Sequence, residues 1–260
     1  MKERALTAFL IILGVIPLFF SLEYLYLIII LAAFIISLEL NDLVSDEKYP
    51  LIIGLNFAMI ISVGLDFIAS RDKLIVFGIF LLVFVLFDLI YNDIGFNNLS
   101  LIYTVSMLVG FALNAFVSLY NISGLLIWYI LIVNYGSDTG AYLIGSRFGK
   151  TKLIPHISPN KTVEGAIGGI VLGGILGVIF GYFVLKIREL PLLIIVSFAM
   201  PIVGQLGDLF FSSLKRSYKR KDFGSIFPGH GGVLDRIDSL VFSLVFVVIF
   251  LRLGYMGIGF

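Results

Sequence analysis

The stretch "LIVFGIFLLVFVLFDLIY", Leu74–Tyr91, carries one charge, Asp88, in eighteen residues. A run that long and that apolar matches the length an α-helix needs to cross the roughly 30 Å hydrocarbon core of a bilayer. Only a helix or a closed barrel satisfies its backbone in lipid, and barrel strands alternate polar with apolar residues, which this run does not. Comparable runs lie at about 5–22, 24–40, 50–70, 99–118, 125–145, 163–185, 191–211 and 235–253. The expected fold is therefore all-α: a polytopic integral membrane protein of about nine transmembrane helices in one bundle. Composition agrees. The chain is 60% hydrophobic and 13% charged, whereas soluble domains carry roughly 25% charged residues.

The apolar run after Met1–Arg4 is long for a leader peptide and is followed by no small-residue cleavage site, so it reads as an uncleaved first span. Cysteine is absent, which excludes disulfides, thiolate nucleophiles and Cys-ligated metals. The organisation expected is one membrane-embedded domain, 1–260. Helices within 1–120 serve packing and face lipid, and 121–260 carries the functional helices and the cytoplasmic loops.

Lysine and arginine set the expected orientation. With nine spans, one side holds Lys2, Arg4, Lys48, Arg147, Lys150, Lys152, Lys161, Lys215, Arg216, Lys219, Arg220, Lys221 and Arg236. The other holds Arg71, Lys73, Lys186, Arg188 and Arg252. Thirteen against five places the N-terminus and the basic loops in the cytoplasm, in a multi-pass protein of the inner membrane. Span seven carries glycine at 165, 169, 173, 177 and 181, a stripe that lets helix backbones approach closely, within the subunit or across a homodimer.

Charge at membrane depth costs about 2.5–3.5 kcal/mol per residue, so each instance needs a reason. Asp66 and Asp88 lie near span ends and reach the interface. Asp138 sits in a polar break, "NYGSDTGAYLIGSRFGK" (134–150), of the kind tolerated where it lines a cavity. Glu164 opens span seven, where a carboxylate also complements the helix dipole. Asp208 closes "GQLGDLF" (204–210) near the end of span eight, and Asp235 and Asp238 open span nine in "LDRID". Positions i and i+3 share a helix face, and spans eight and nine both meet the 212–234 loop. Three acids are thus expected to converge on one membrane edge around a cation, with Mg²⁺ the metal that prefers carboxylate oxygen.

That loop is crowded with charge: "KRSYKRKDFGSIFPGHGGVLDRIDS", Lys215–Ser239, holds six cations and three aspartates. Its glycines can turn backbone N–H groups toward an anion, and His230 can donate a hydrogen bond or act as an acid. "GSRFGKT" from Gly145 only mimics a nucleotide-binding loop. It has three residues between its glycines where four are required, and no strand precedes it. Metal-binding carboxylates, cations and a glycine turn are together the parts for handling phosphoryl groups. Their place at a membrane edge implies one lipid substrate and one water-soluble anionic substrate.

The pattern Ser212-x-Leu214-Lys215-Arg216, Lys221-Asp222-x-Gly224, Phe227-Pro228-x-His230-Gly231-Gly232-Val233-x-Asp235-Arg236-x-Asp238 resembles the signature of the phosphatidate cytidylyltransferase (CDP-diacylglycerol synthase) family. "SPNKTVEGAIGG" from Ser158 resembles the family's second segment, with Asn160 where a lysine is usual, and Asp138 with the residues after it also fits. The resemblance covers about 134–239. It implies a reaction of phospholipid biosynthesis: CTP and phosphatidic acid give CDP-diacylglycerol and pyrophosphate, with Mg²⁺ alone or with a second cation beside it. On that reading Asp208, Asp235 and Asp238 hold the metal, with Lys215 and Arg216 beside them as catalytic cations. Asp138, Ser158, Lys161, Glu164, Ser212, Lys221, Asp222, His230, Gly231, Gly232 and Arg236 contact substrate. The runner-up is a cytidylyltransferase for another phosphorylated lipid. A cation- or proton-coupled transporter is a further alternative, disfavoured because the polar breaks fall in the second half with no counterpart in the first.

Overall fold

The computed structural model describes residues 22–65, 72–91, 94–226 and 231–253. The first expected span, apart from Leu22, lies outside the described residues, as do Asp66, Arg71 and His230. Among the described residues the chain is nearly all helical. Its eight helices are α1 (Leu22–Val44), α2 (Pro50–Gly64), α3 (Lys73–Tyr91), α4 (Phe96–Ile122), α5 (Gly124–Phe148), α6 (Val163–Phe183), α7 (Leu190–Ser217) and α8 (Leu234–Arg252). Five of them, α1, α3, α4, α6 and α7, are long and apolar enough to cross a membrane. Leu74 is 78% exposed and Leu89 74% exposed on α3. Such surface is a liability in water and unremarkable against lipid tails.

Local chemistry sets the helix ends. Pro50 starts α2, where its missing N–H costs nothing and its ring presets φ. Asn41 ties the preceding turn, accepting from the Tyr49 N–H at 3.2 Å and donating to the Glu47 carbonyl at 2.9 Å. Ser123 caps α5 by accepting from the Leu125 N–H, and Thr162 caps α6 by accepting from the Gly165 N–H at 3.1 Å.

The chain sorts into two compact units. The first contains the described residues up to Val117 together with those of Ser217–Ile237. Its core includes Ile36, Leu40, Met59, Ile60 and Ile102, all fully buried. Buried Asn56 accepts a hydrogen bond from Ser106, so neither polar group is left without a partner. The segment after α7 is tied to these N-terminal helices: Tyr218 donates to Asn98 at 2.6 Å, and Arg220 pairs with Asp46 at 2.8 Å. The described residues of this segment are thus packed with the earlier helices.

The second unit contains Ser118–Arg216 and the described residues from Asp238 onward. Its centre is the contact of α5 with α6, and the glycine stripe makes it. A Cβ placed on Gly165, Gly169 or Gly173 would sit 2.9, 2.7 and 2.7 Å from the carbonyl oxygens of Ala141, Ser137 and Val133 respectively. Glycines four apart on α6 therefore meet carbonyls four apart on α5, backbone against backbone. The stripe serves packing within this chain. Tyr129 and Ser197 share a buried 2.8 Å hydrogen bond, and Ser243 donates to Asn134 at 2.9 Å.

One element departs from the all-α expectation. Between α5 and α6, Lys152–Ile154 (β1) and Ser158–Thr162 (β2) pair as an antiparallel hairpin. The Val163 N–H bonds to the Thr151 carbonyl, carrying the pairing up to the start of α6. β2 thereby leads directly into the α6 cap.

Candidate active site

A cavity of about 500 Å³ opens in the second unit, between the hairpin and the adjoining turns of α5, α6 and α7. Its lining includes Asp138, Tyr142, Asn160, Lys161, Gln205 and Asp208. The hairpin brings Lys161 in from β2, and its Nζ forms an ion pair with the Asp208 carboxylate. Both side chains are about one-third exposed, at 31% and 29%, so the pair is half-shielded from water and is screened less than a surface pair. Ser212, one turn further along α7, donates to Asp208 Oδ1 at 3.2 Å.

Asp208 has acidic company. It acts electrostatically on Asp138 from α5 and on Asp238 from α8, with Lys161 the cation common to both and Lys215 a second cation for Asp238. Gly207 makes the approach of α8 possible, since a Cβ there would lie 2.8 Å from the Asp238 carbonyl oxygen. Lys215 is 7% exposed at the end of a helix, where a cation also complements the dipole. The arrangement suits an anion entering with its own cation.

The other residues named from sequence fall in different settings. Arg216 Nε donates to the Ile157 carbonyl at 3.3 Å, fastening the end of α7 to the hairpin turn. Ser158 opens β2 opposite Ile154. Glu164 accepts from the N–H groups of Lys150 and Thr151, both at 3.1 Å, and so secures the start of the hairpin. Lys221, Asp222 and Arg236 are exposed. Gly231 has φ of +83°, which favours glycine. Asp235 Oδ2 accepts from the Phe223 N–H at 2.8 Å and the Gly232 N–H at 2.9 Å, so this carboxylate holds its own loop together. His230 lies outside the described residues.

One residue of the cavity wall, and one buried carboxylate of the first unit, escaped the sequence reading. Gln205 donates to Ser137 Oγ at 3.2 Å and to the Ala166 carbonyl at 3.1 Å, spanning α5, α6 and α7 at the cavity wall. An amide within the apolar run of α7, three residues before Asp208, was the available signal. Glu39 on α1 is 2% exposed and was hidden at the end of an apolar run.

The model of the cytidylyltransferase family matches residues 2–254. A phosphatidate cytidylyltransferase of Bacillus subtilis (strain 168) is 42% identical over 170 residues, which is 63% of this chain and 60% of that protein. Proteins of the same name from Staphylococcus haemolyticus (strain JCSC1435) and Staphylococcus aureus (strain COL) are each 48% identical over 118 residues, 45% of either chain. The chain thus spans between about half and three-fifths of the length of the curated relatives it matches.

Proposed function

The chain belongs to the cytidylyltransferase family, and from that premise we propose that it transfers the cytidylyl group of CTP to phosphatidic acid, giving CDP-diacylglycerol and pyrophosphate. The observation that carries this reading is the Lys161–Asp208 pair, set with Asp138 in a cavity among apolar helices and acting electrostatically on Asp238. A phosphate monoester at a lipid headgroup is already an anionic nucleophile. Its oxygen attacks the α-phosphorus of CTP in line, an O–P bond forms, the α–β bridging bond breaks, and pyrophosphate departs with the electron pair. No covalent enzyme intermediate is needed. The work left to the protein is to hold two polyanions together against their repulsion.

Lys161, which pairs with Asp208, and Lys215, which acts electrostatically on Asp238, would take up phosphoryl charge, with Lys161 exchanging its bond to Asp208 for one to substrate. The exposed cations Lys219, Arg220 and Lys221 would draw CTP toward the membrane surface. Among the described residues no group of three or more acidic or histidine side chains is arranged to enclose a metal. The Asp208–Asp238 neighbourhood nevertheless fits Mg²⁺, which is commonly bound by one or two carboxylates and completes its shell with water and substrate phosphate. Bound there, Mg²⁺ would neutralise charge on the non-bridging phosphate oxygens. Asp235, one turn earlier on α8, would serve the loop through the bonds it already makes. The apolar helices and the distribution of lysine and arginine favour a multi-pass protein with this face toward the cytoplasm.

The test uses purified protein in vesicles containing phosphatidic acid, supplied with CTP and Mg²⁺. Pyrophosphate and CDP-lipid should appear one for one, and only with the acidic lipid present. Pyrophosphate release that ignores phosphatidic acid, or none at all, would overturn the reading. Preference for a different phosphorylated lipid in competition would keep the reaction and change the substrate.

A further inference from the structure

Glu39 is the most buried carboxylate among the described residues, and nothing in the proposed chemistry uses it. Its two oxygens face the start of α8. Oε1 accepts from the Val233 N–H at 2.7 Å and Oε2 from the Leu234 N–H at 2.9 Å. Both donors belong to the set that a helix start leaves without intrahelical acceptors. A carboxylate on each N–H is a strong, charge-assisted bond, stronger still where water is excluded. Two glycines make room for it. A Cβ on Gly232 would lie 2.3 Å from Oε1 and 2.8 Å from Oε2, and one on Gly224 would lie 3.0 Å from Oε1. Asp235 closes the same loop through Phe223 and Gly232.

We propose that Glu39 is a positioning residue for CTP binding: it fixes the described stretch Gly231–Leu234 that leads into α8, and it is the reason residues 224 and 232 are glycine. The proposal rests on the CTP-dependent reading above. Glu39→Gln keeps size and burial but offers one acceptor oxygen and one amide donor where two acceptors are required, so one N–H loses its partner.

In vesicles, Glu39→Gln and Glu39→Ala should raise KM for CTP about tenfold or more, a loss of about 1.4 kcal/mol or more in binding, while kcat falls less. Trypsin should cut after Lys219, Arg220 or Lys221 about tenfold faster than in the parent, because the loop opens more often. Gly232→Ala should reproduce both effects in the parent but add less than twofold in the Glu39→Ala background, where the clashing carboxylate is gone. A parental KM and parental cleavage rate in Glu39→Gln would overturn the proposal. So would a drop in kcat with KM unchanged, accompanied by a lowered unfolding midpoint, which is what simple loss of support produces. A parent protein that transfers nothing from CTP defeats the reaction reading alone, since the cleavage rates and the Gly232 cycle still decide whether Glu39 holds the loop.

Discussion

Replacing Gly173 by alanine adds one methyl group where α6 touches α5. The new Cβ would lie 2.7 Å from the Val133 carbonyl oxygen, 3.1 Å from Pro201 Cγ and 3.2 Å from Ser137 Cβ. An ordinary contact of this kind starts at 3.4 Å, so the nearest one falls short by about 0.7 Å. The obstacle is backbone, and a proline stands nearby, so no side-chain rotation can relieve it. Overpacking of this size costs about 1–3 kcal/mol. The alanine returns about 0.5–1 kcal/mol of helix propensity. The net expectation is a destabilisation of about 1–2 kcal/mol, a factor of roughly 5–30 in the folding equilibrium. Gly78 on α3 is the matched control, because a Cβ there meets nothing within 4 Å. Gly78→Ala should be neutral or stabilising by up to about 1 kcal/mol. Unfolding of both variants by SDS in mixed micelles, followed by circular dichroism, measures the difference directly. Equal midpoints for Gly173→Ala and Gly78→Ala would refute the claim that backbone contact, and not lipid-facing smallness, explains the stripe.

Four further outcomes follow from the geometry. Asp208→Asn and Asp238→Asn should each lower turnover about 10²-fold in the vesicle assay, the usual cost of removing a group that stabilises developing charge. Asp235 separates two roles: if its task is to accept N–H bonds, Asp235→Asn should retain at least tenfold more activity than Asp235→Ala, whereas equal losses would return its charge to the metal site. Raising NaCl from 0.1 to 1 M shortens the screening length from about 10 to 3 Å, so kcat/KM for CTP should fall several-fold while kcat changes little. Tyr129→Phe leaves buried Ser197 without its 2.8 Å partner and should cost about 1–3 kcal/mol by the same SDS titration.

What could be read before any coordinates follows from which forces leave a linear trace. A bilayer demands length and apolarity in one unbroken stretch, so the apolar runs that fall within the described residues coincide with helices, Leu74–Tyr91 with α3 among them. Close helix packing demands small residues at a fixed spacing, so the glycines of α6 announced a contact without naming α5 as its partner. The hairpin left no such trace. Its strands are short, with Pro159, Asn160 and Lys161 in the second, and their pairing depends on Glu164 holding the chain at Lys150 and Thr151. It is nonetheless what delivers Lys161 to Asp208.

Spacing was informative about the helix and silent about the partners. Asp235 and Asp238 do sit three apart on α8, as the sequence requires. Yet α8 begins at Leu234, so Asp235 falls in the first turn, where the nearest unmet need is the backbone N–H groups of the loop behind it. Asp238, one turn on, lies near Asp208 and the lysines instead. A helix start thus divides two acids of one motif between holding the chain and holding charge. Glu39 extends the same logic across almost two hundred residues, since a capping need at one point of a chain can be met from any other. Sequence spacing cannot report such a bond. Among the described residues of the motif, the marks it leaves are the two glycines that yield to the carboxylate, Gly224 and Gly232.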